Sequence, residues 1–94
     1  MTWKVIVPRP ISALIGSFNI SREMRNRFLA ALHHELPEKA NKFRRFRGED
    51  ADRHFIFAVN LTEHGKKHLF VAYVDDVTAP ERLIIEDIRH RIGS

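Results

Sequence analysis

Two neighbouring apolar stretches of the chain are interpreted as strands, and together they predict a β-hairpin. In the first stretch, residues 55–61, every second residue from Phe55 is apolar, and the second stretch is the short apolar run at residues 69–74. The polar segment between them, residues 62–67, contains a His-Gly pair and is interpreted as the turn. Asp75 and Asp76 are expected to end the second strand.

The two faces of the first predicted strand differ in polarity. One face is entirely apolar, whereas the other includes a histidine and an asparagine. We therefore expect the sheet to pack against helices on its apolar face. The residues expected on that face are Phe55, Phe57, Val59 and Leu61, and those on the more polar face are His54, Ile56, Ala58 and Asn60.

The beginning of the chain has the features of a short strand and a short helix. Residues 3–7 are rich in β-branched side chains and are followed by Pro8, so they predict an opening strand. A helix is expected from Pro10, because proline suits the first turn of a helix. The apolar residues of this helix recur at helical spacing and are Ile11, Leu14, Ile15 and Phe18.

Residues 21–36 predict a longer amphipathic helix. Ser21 is a suitable N-cap, and Glu23 lies in the first turn, where a negative charge is favourable. Pro37 is expected to end this helix. A further helical turn and then a hydrophilic loop at residues 48–52 are expected before the hairpin. The apolar residues that recur every four positions in the long helix are Met24, Phe28, Leu32 and Leu36.

The last segment carries two conflicting local signals. Residues 78–81 have the form of a capping box with an early proline, and isoleucines follow at intervals of four, so the local pattern favours a helix. The apolar run at residues 83–85 instead favours a strand, and a hairpin alone is only marginally stable without a further strand.

Composition limits the range of functions. The chain has 94 residues, which is enough for one domain. Its hydrophobic fraction of 44% and charged fraction of 30% are ordinary for a globular protein, and no apolar run approaches the roughly 20 residues of a membrane span. The absence of cysteine excludes disulfides and fits a cytoplasmic location. The six histidines have no recognisable ligand spacing, so neither a metal nor a cofactor is expected.

Charge is distributed unevenly along the chain. Residues 1–47 carry ten lysines and arginines against three acidic residues, whereas residues 48–94 carry six against nine. A positive region of this kind attracts nucleic acid or an acidic protein. Between residues 42 and 47, four cations alternate with Phe43 and Phe46, a combination that binds single-stranded nucleic acid, unless the two rings pack into the core. The candidate anion-binding cations are Lys42, Arg44, Arg45 and Arg47.

A second basic cluster lies near the end of the chain. If this segment is a strand, Arg89 and Arg91 share one face and His90 lies on the other. Two neighbouring cations favour the neutral form of a histidine, which would suit His90 to act as a base near neutral pH. Contact with an anionic partner and a solvated strand end are the alternatives.

The order of the predicted elements resembles the RelE/ParE toxin superfamily of bacterial toxin–antitoxin systems. The likeness lies in residues 3–10, the helix 21–36, the hairpin 54–74 and the closing run 83–91, which ends in Ile-Arg-His-Arg. It implies one α+β domain spanning residues 1–94. In that domain, an antiparallel sheet has an N-terminal strand, a helical hairpin on one face and a C-terminal β-meander. The resemblance also favours a strand for the last segment.

The resemblance has implications for chemistry. Ribosome-dependent RNases of this family drive the 2′-hydroxyl of mRNA onto its neighbouring phosphate, which requires a base, an acid and cations. By position, the resemblance implies that Arg91 would stabilise the phosphate and that His68 falls roughly where the family has another basic residue. His90 is a further catalytic candidate. Ile56 and Ala58 replace lysines that some members carry, and no acid–base group follows the final strand, so the implied catalytic set is incomplete.

We therefore expect a toxin-like component of a toxin–antitoxin pair that inhibits translation by mRNA cleavage or inhibits gyrase. Its expected partners are a cognate antitoxin and either the ribosome with mRNA or DNA gyrase, in a homo- or hetero-oligomer away from membranes. The alternative is a non-enzymatic binding module whose basic half docks an acidic protein or nucleic acid. Arg89 is a further candidate for contact with an anion.

Overall fold

A computed structural model of the chain describes residues 3–47, 54–78 and 81–93. Helices cover one face of a four-stranded sheet, which confirms the predicted α+β class. The loop predicted at residues 48–52 lies outside the described residues. The elements in chain order are β1 (Lys4–Ile6), α1 (Arg9–Ser17), α2 (Arg22–His34), α3 (Leu36–Arg47), β2 (His54–Glu63), β3 (Lys66–Thr78) and β4 (Glu81–Gly93).

The strands lie in the order β1-β4-β3-β2. β2, β3 and β4 form an antiparallel meander, whereas β1 runs parallel to β4, from the pair of Lys4 with Arg82 to that of Ile6 with Ile84. The sheet is therefore mixed, and the expectation of an antiparallel sheet is wrong for β1. A tight turn makes two strands antiparallel, but most of the chain separates β1 from β4, so no turn fixes their relative direction.

The last segment is a strand, and the helix that its local pattern favours is wrong. β4 pairs with β1 on one side and with β3 on the other, so its backbone groups find partners in both neighbours. Tyr73 pairs with Asp87 and Val74 pairs with Ile85, so Glu86 lies opposite no residue of β3. Glu86 therefore forms a β-bulge, which shifts the register. This shift places Leu83, Ile85 and Ile88 all in the core.

The hairpin is longer, and its turn tighter, than the sequence pattern predicts. β2 and β3 pair up to Glu63 and Lys66, which leaves a turn of two residues. His64 and Gly65 both have positive φ, 52° and 75°, as a type I′ turn requires, and this turn matches the twist of the flanking strands. β3 also continues to Thr78, so the expectation that the two preceding aspartates end the strand is wrong.

The helices begin and end through local contacts. The hydroxyl of Ser21 accepts a hydrogen bond from the Met24 N–H at 3.0 Å, which confirms the predicted N-cap of α2. Pro37 does not end the helical region, because it lies in the first turn of α3, where its missing N–H has little consequence. Only Glu35 separates the two helices.

The core lies between the helices and one face of the sheet. Phe55 and Phe57 are buried on that face, whereas Ile56 is 51% exposed on the opposite face, which confirms the predicted polarity of β2. The opposite face, here called the open face, carries no helix of the described residues. The largest fully buried side chains are Phe28, Phe70, Met24, Leu32, Leu36, Leu83, Ile85, Ile88 and Val74.

Candidate functional site

The pairing of β3 with β4 divides the predicted catalytic residues between the two faces of the sheet. His90 pairs with Phe70, and Arg91 pairs with Leu69. Side chains alternate along a strand, so His90 lies on the helix-covered side with the buried Phe70, and Arg91 lies on the open face. His68, two residues before Phe70, joins His90. The structure therefore brings the two histidines together and separates them from Arg91.

The two histidines are hydrogen-bonded to each other. The His68 Nδ1 and His90 Nε2 atoms are 2.9 Å apart, and the rings stack with their centroids 5.2 Å apart. His68 is only 6% exposed. The His90 ring also lies 5.2 Å from the ring of Phe18, the C-cap of α1, and 4.7 Å from that of Phe70. The pair thus packs against the rings of Phe18 and Phe70, with His90 only half-buried.

Burial and the neighbouring imidazole lower the pKa of His90. Loss of hydration is the larger cause, because burial penalises the charged ring, and repulsion from His68 adds to it. A lowered pKa agrees with the prediction that His90 favours its neutral form. The cause differs from the predicted one, because Arg89 and Arg91 lie on the other face of the sheet. One ring must donate the hydrogen bond and the other accept it. A neutral pair of this kind can hold or pass one proton.

The open face contains a shallow depression that includes both arginines of β4. Its volume is about 560 Å³. Tyr73 is 40% exposed there and lies on the same face as the arginines. The depression thus combines apolar and aromatic side chains with cations, the combination that stacks bases and binds phosphates. Its lining residues are Leu69, Val71, Tyr73, Arg89, Arg91 and also His90, although the His90 ring itself contacts Phe18 and Phe70 on the other face of the sheet.

The two arginines of the open face differ in their partners. The Arg89 Nε lies 3.0 Å from the Asp87 Oδ2 atom, so part of the charge of Arg89 is balanced within the strand. The Arg91 side chain is exposed and has no ion pair or hydrogen bond within residues 3–47, 54–78 and 81–93. Arg91 is therefore the better placed of the two to contact an anion.

The predicted basic segment, residues 42–47, lies at the end of α3 and precedes β3 and β4 in the chain. Lys42 is exposed on that helix. Arg44, Arg45 and Arg47 belong to its last turns by backbone, but their side chains lie outside the part of the chain that the structure describes. The predictions for these three arginines, and for the alternating phenylalanines, stay predictions.

The apolar part of the open face was missed by sequence reasoning. Leu69, Val71 and Tyr73 belong to an apolar run without polar alternation, which is typical of a strand buried on both faces. The sequence of this run does not show that one of its faces is free of helices. The polar residues His54 and Asn60 of the neighbouring strand β2 do indicate it, because they lie on the same face of the sheet.

Comparisons of the chain with protein-family models, with curated proteins and with solved structures found no match. Among the helices that the structure describes, none combines the length and the apolar character that a membrane span requires.

Proposed function

We propose that this chain is the toxin-like component of a toxin–antitoxin pair of the RelE/ParE type, which acts on translation or on gyrase. The observation that carries the proposal is the depression on the open face, which is lined by Arg89, Arg91 and the part-exposed Tyr73. The Arg91 side chain has no ion pair with any residue that the structure describes. The order of elements, in which one strand precedes the helices and a three-stranded meander follows them, supports the same assignment.

The positions of the candidate catalytic groups favour contact with RNA over its cleavage. A base that removes the 2′-hydroxyl proton must lie within hydrogen-bonding reach of the substrate. The rings of His68 and His90 lie on the helix-covered side of the sheet, whereas the Arg91 side chain lies on the open face. A phosphate bound at the Arg91 side chain would therefore be separated by the sheet from the imidazole rings of this pair.

The same separation supports a second candidate function, a non-enzymatic module that binds nucleic acid or an acidic protein. The open face would supply the contacts through Arg89 and Arg91. Binding that weakens as salt increases, without formation of an RNA product, would favour this second function.

Growth of a bacterial host after tightly controlled induction tests the first proposal, with pulse-labelling of protein and DNA synthesis. An early fall in protein synthesis would support action on translation, and an early fall in DNA synthesis would support action on gyrase. Arg91→Ala should relieve the arrest. Arg9→Ala is the matched control, because Arg9 is an exposed arginine at the start of α1. Unimpaired growth with folded wild-type protein, or equal relief by both variants, would contradict the proposal.

A further inference from the structure

Three side chains with metal-binding atoms meet on the open face, one from each of three neighbouring strands. They are His54 of β2, Asp75 of β3 and Glu86 of β4, and one potential ligand atom of each lies within 4.8 Å of the other two. His54 and Asp75 are direct partners in the β2–β3 pairing, so the backbone itself holds them side by side. The cluster therefore joins an imidazole to two carboxylates on a sheet framework.

The β-bulge supplies the third member of this cluster. Glu86 is the extra residue of β4, opposite no residue of its own in β3. Bulges often redirect a side chain beside a functional site. Here the Glu86 Oε1 atom reaches across β3 to within 3.0 Å of the His54 Nε2 atom, which lies 3.9 Å from the Asp75 Oδ1 atom.

We propose that His54, Asp75 and Glu86 form a binding site for a divalent transition metal ion such as Zn²⁺. Metal bonds to nitrogen and oxygen ligands of about 2.0–2.2 Å place neighbouring ligand atoms roughly 3–3.5 Å apart. The distances of 3.0 and 3.9 Å need only small side-chain movements to reach this spacing. A neutral imidazole with two carboxylates has a charge of about −2, which favours a dication.

The ligand types decide between classes of metal. An imidazole suits Zn²⁺, Ni²⁺ and Cu²⁺, whereas Mg²⁺ and Ca²⁺ prefer oxygen ligands alone. The side chains of His54 and Glu86 are 61% and 46% exposed, so solvent reaches the site. Three protein ligands and open access leave a coordination position for water or an anion.

The competing explanation is a surface ion pair between the protonated His54 and its carboxylate neighbours. Such an exposed pair contributes about 0–1 kcal/mol and needs no metal. The two explanations differ in what happens when a metal is added, because only a built site holds one ion at defined ligands.

Co²⁺ is the probe for this site, since its visible absorption reports its coordination, and Zn²⁺ is the competitor. The full chain without a histidine tag should bind one Co²⁺, which Zn²⁺ displaces. His54→Gln and Glu86→Gln should each weaken binding by at least the roughly tenfold that loss of an outer-shell partner costs. The first change removes the imidazole nitrogen, and the second removes the charge of a carboxylate ligand. His64→Asn is the matched control, because it removes another exposed histidine and asparagine tolerates the positive φ of that position.

Circular dichroism of each variant verifies the fold independently of metal. Absence of Co²⁺ binding by the folded wild-type chain would overturn the proposal and leave a surface ion pair. Equal binding by His54→Gln and the wild type would also overturn it, as would binding that is lost on changing His90→Gln instead. None of these results depends on toxicity, so the site stands or fails separately from the proposed function.

Discussion

His68 and His90 are hydrogen-bonded to each other at 2.9 Å although 22 positions separate them in the chain. The register between β3 and β4 brings them together, because both point to the helix-covered side of the sheet. Only one hydrogen atom fits between the two nitrogen atoms. If both rings are protonated, each of the facing nitrogen atoms carries a hydrogen atom. The hydrogen bond then breaks, and two positive charges lie beside aromatic rings.

This arrangement predicts that the protein is destabilised by mild acid. The pKa of His90 lies below its ordinary value of 6.5, so between the two values the unfolded chain binds more protons than the folded chain. The free energy of unfolding therefore falls as pH decreases through about 6.5 and towards the folded-state pKa. Above neutral pH, His90 adds no pH dependence. Urea denaturation at a series of pH values measures this slope.

The variant His90→Gln should show a smaller slope between pH 7 and 5, because glutamine does not titrate. His64→Asn should keep the slope of the wild type, since His64 is exposed in the β2–β3 turn. An unchanged slope in His90→Gln would mean that the acid sensitivity arises from other groups.

Arg91 should contribute to binding of single-stranded RNA through one phosphate contact. Arg91→Ala should lower the affinity for a short oligonucleotide at all sequences alike and reduce the slope of log affinity against log salt by about 1. Fluorescence anisotropy at several salt concentrations measures both quantities. Arg9→Ala removes the same charge from α1 and should leave both nearly unchanged. If the two variants weaken binding equally, the charge acts at long range and Arg91 makes no specific contact.

The sequence predicts the strands and helices of this chain well where local pattern and tertiary packing agree. The alternation in β2 identifies its buried face correctly, because one face of that strand packs against helices. In β4 the isoleucines at intervals of four favour a helix, yet two neighbouring strands override that preference. The bulge at Glu86 is the reason that the buried positions of β4 do not follow a simple repeat of two.

The candidate site is harder to predict because it depends on register between strands. Alternation along one strand is enough to separate His90 from Arg89 and Arg91. The contact between His68 and His90 requires the pairing of β3 with β4, which no short sequence pattern specifies. The sequence predicts the lowered pKa of His90 from Arg89 and Arg91, whereas burial and His68 are the causes in the structure. The burial of the His90 ring depends on packing against α1 and β3, which the sequence pattern of β4 does not show.

The N-cap of α2 is also a link between α2 and the hairpin. The Ser21 hydroxyl accepts from the Met24 N–H and donates to the Glu63 Oε2 atom at 2.6 Å. Ser21→Ala should lower the free energy of unfolding by about 0.5–2 kcal/mol. Ser21→Asp keeps an N-cap acceptor but sets two carboxylates against each other, so it should be less stable than the wild type.

Thermal or urea denaturation compares these two variants. Adding Glu63→Gln to Ser21→Asp should recover stability, because the amide can donate a hydrogen bond to the new carboxylate. Equal stability of Ser21→Asp and the wild type would show that the contact with Glu63 has no energetic weight.

Phe28 should be among the most sensitive positions of the core. Its ring is fully buried and stacks on that of Phe70 with centroids 4.4 Å apart, and Phe70 in turn contacts His90. Phe28→Ala should lower the free energy of unfolding by about 3–5 kcal/mol, because the helix and the sheet cannot close the cavity fully. Asn26→Ala, an exposed change on the same helix, should alter it by about 0.5 kcal/mol or less. Similar urea midpoints for both variants would contradict this packing of α2 on β3.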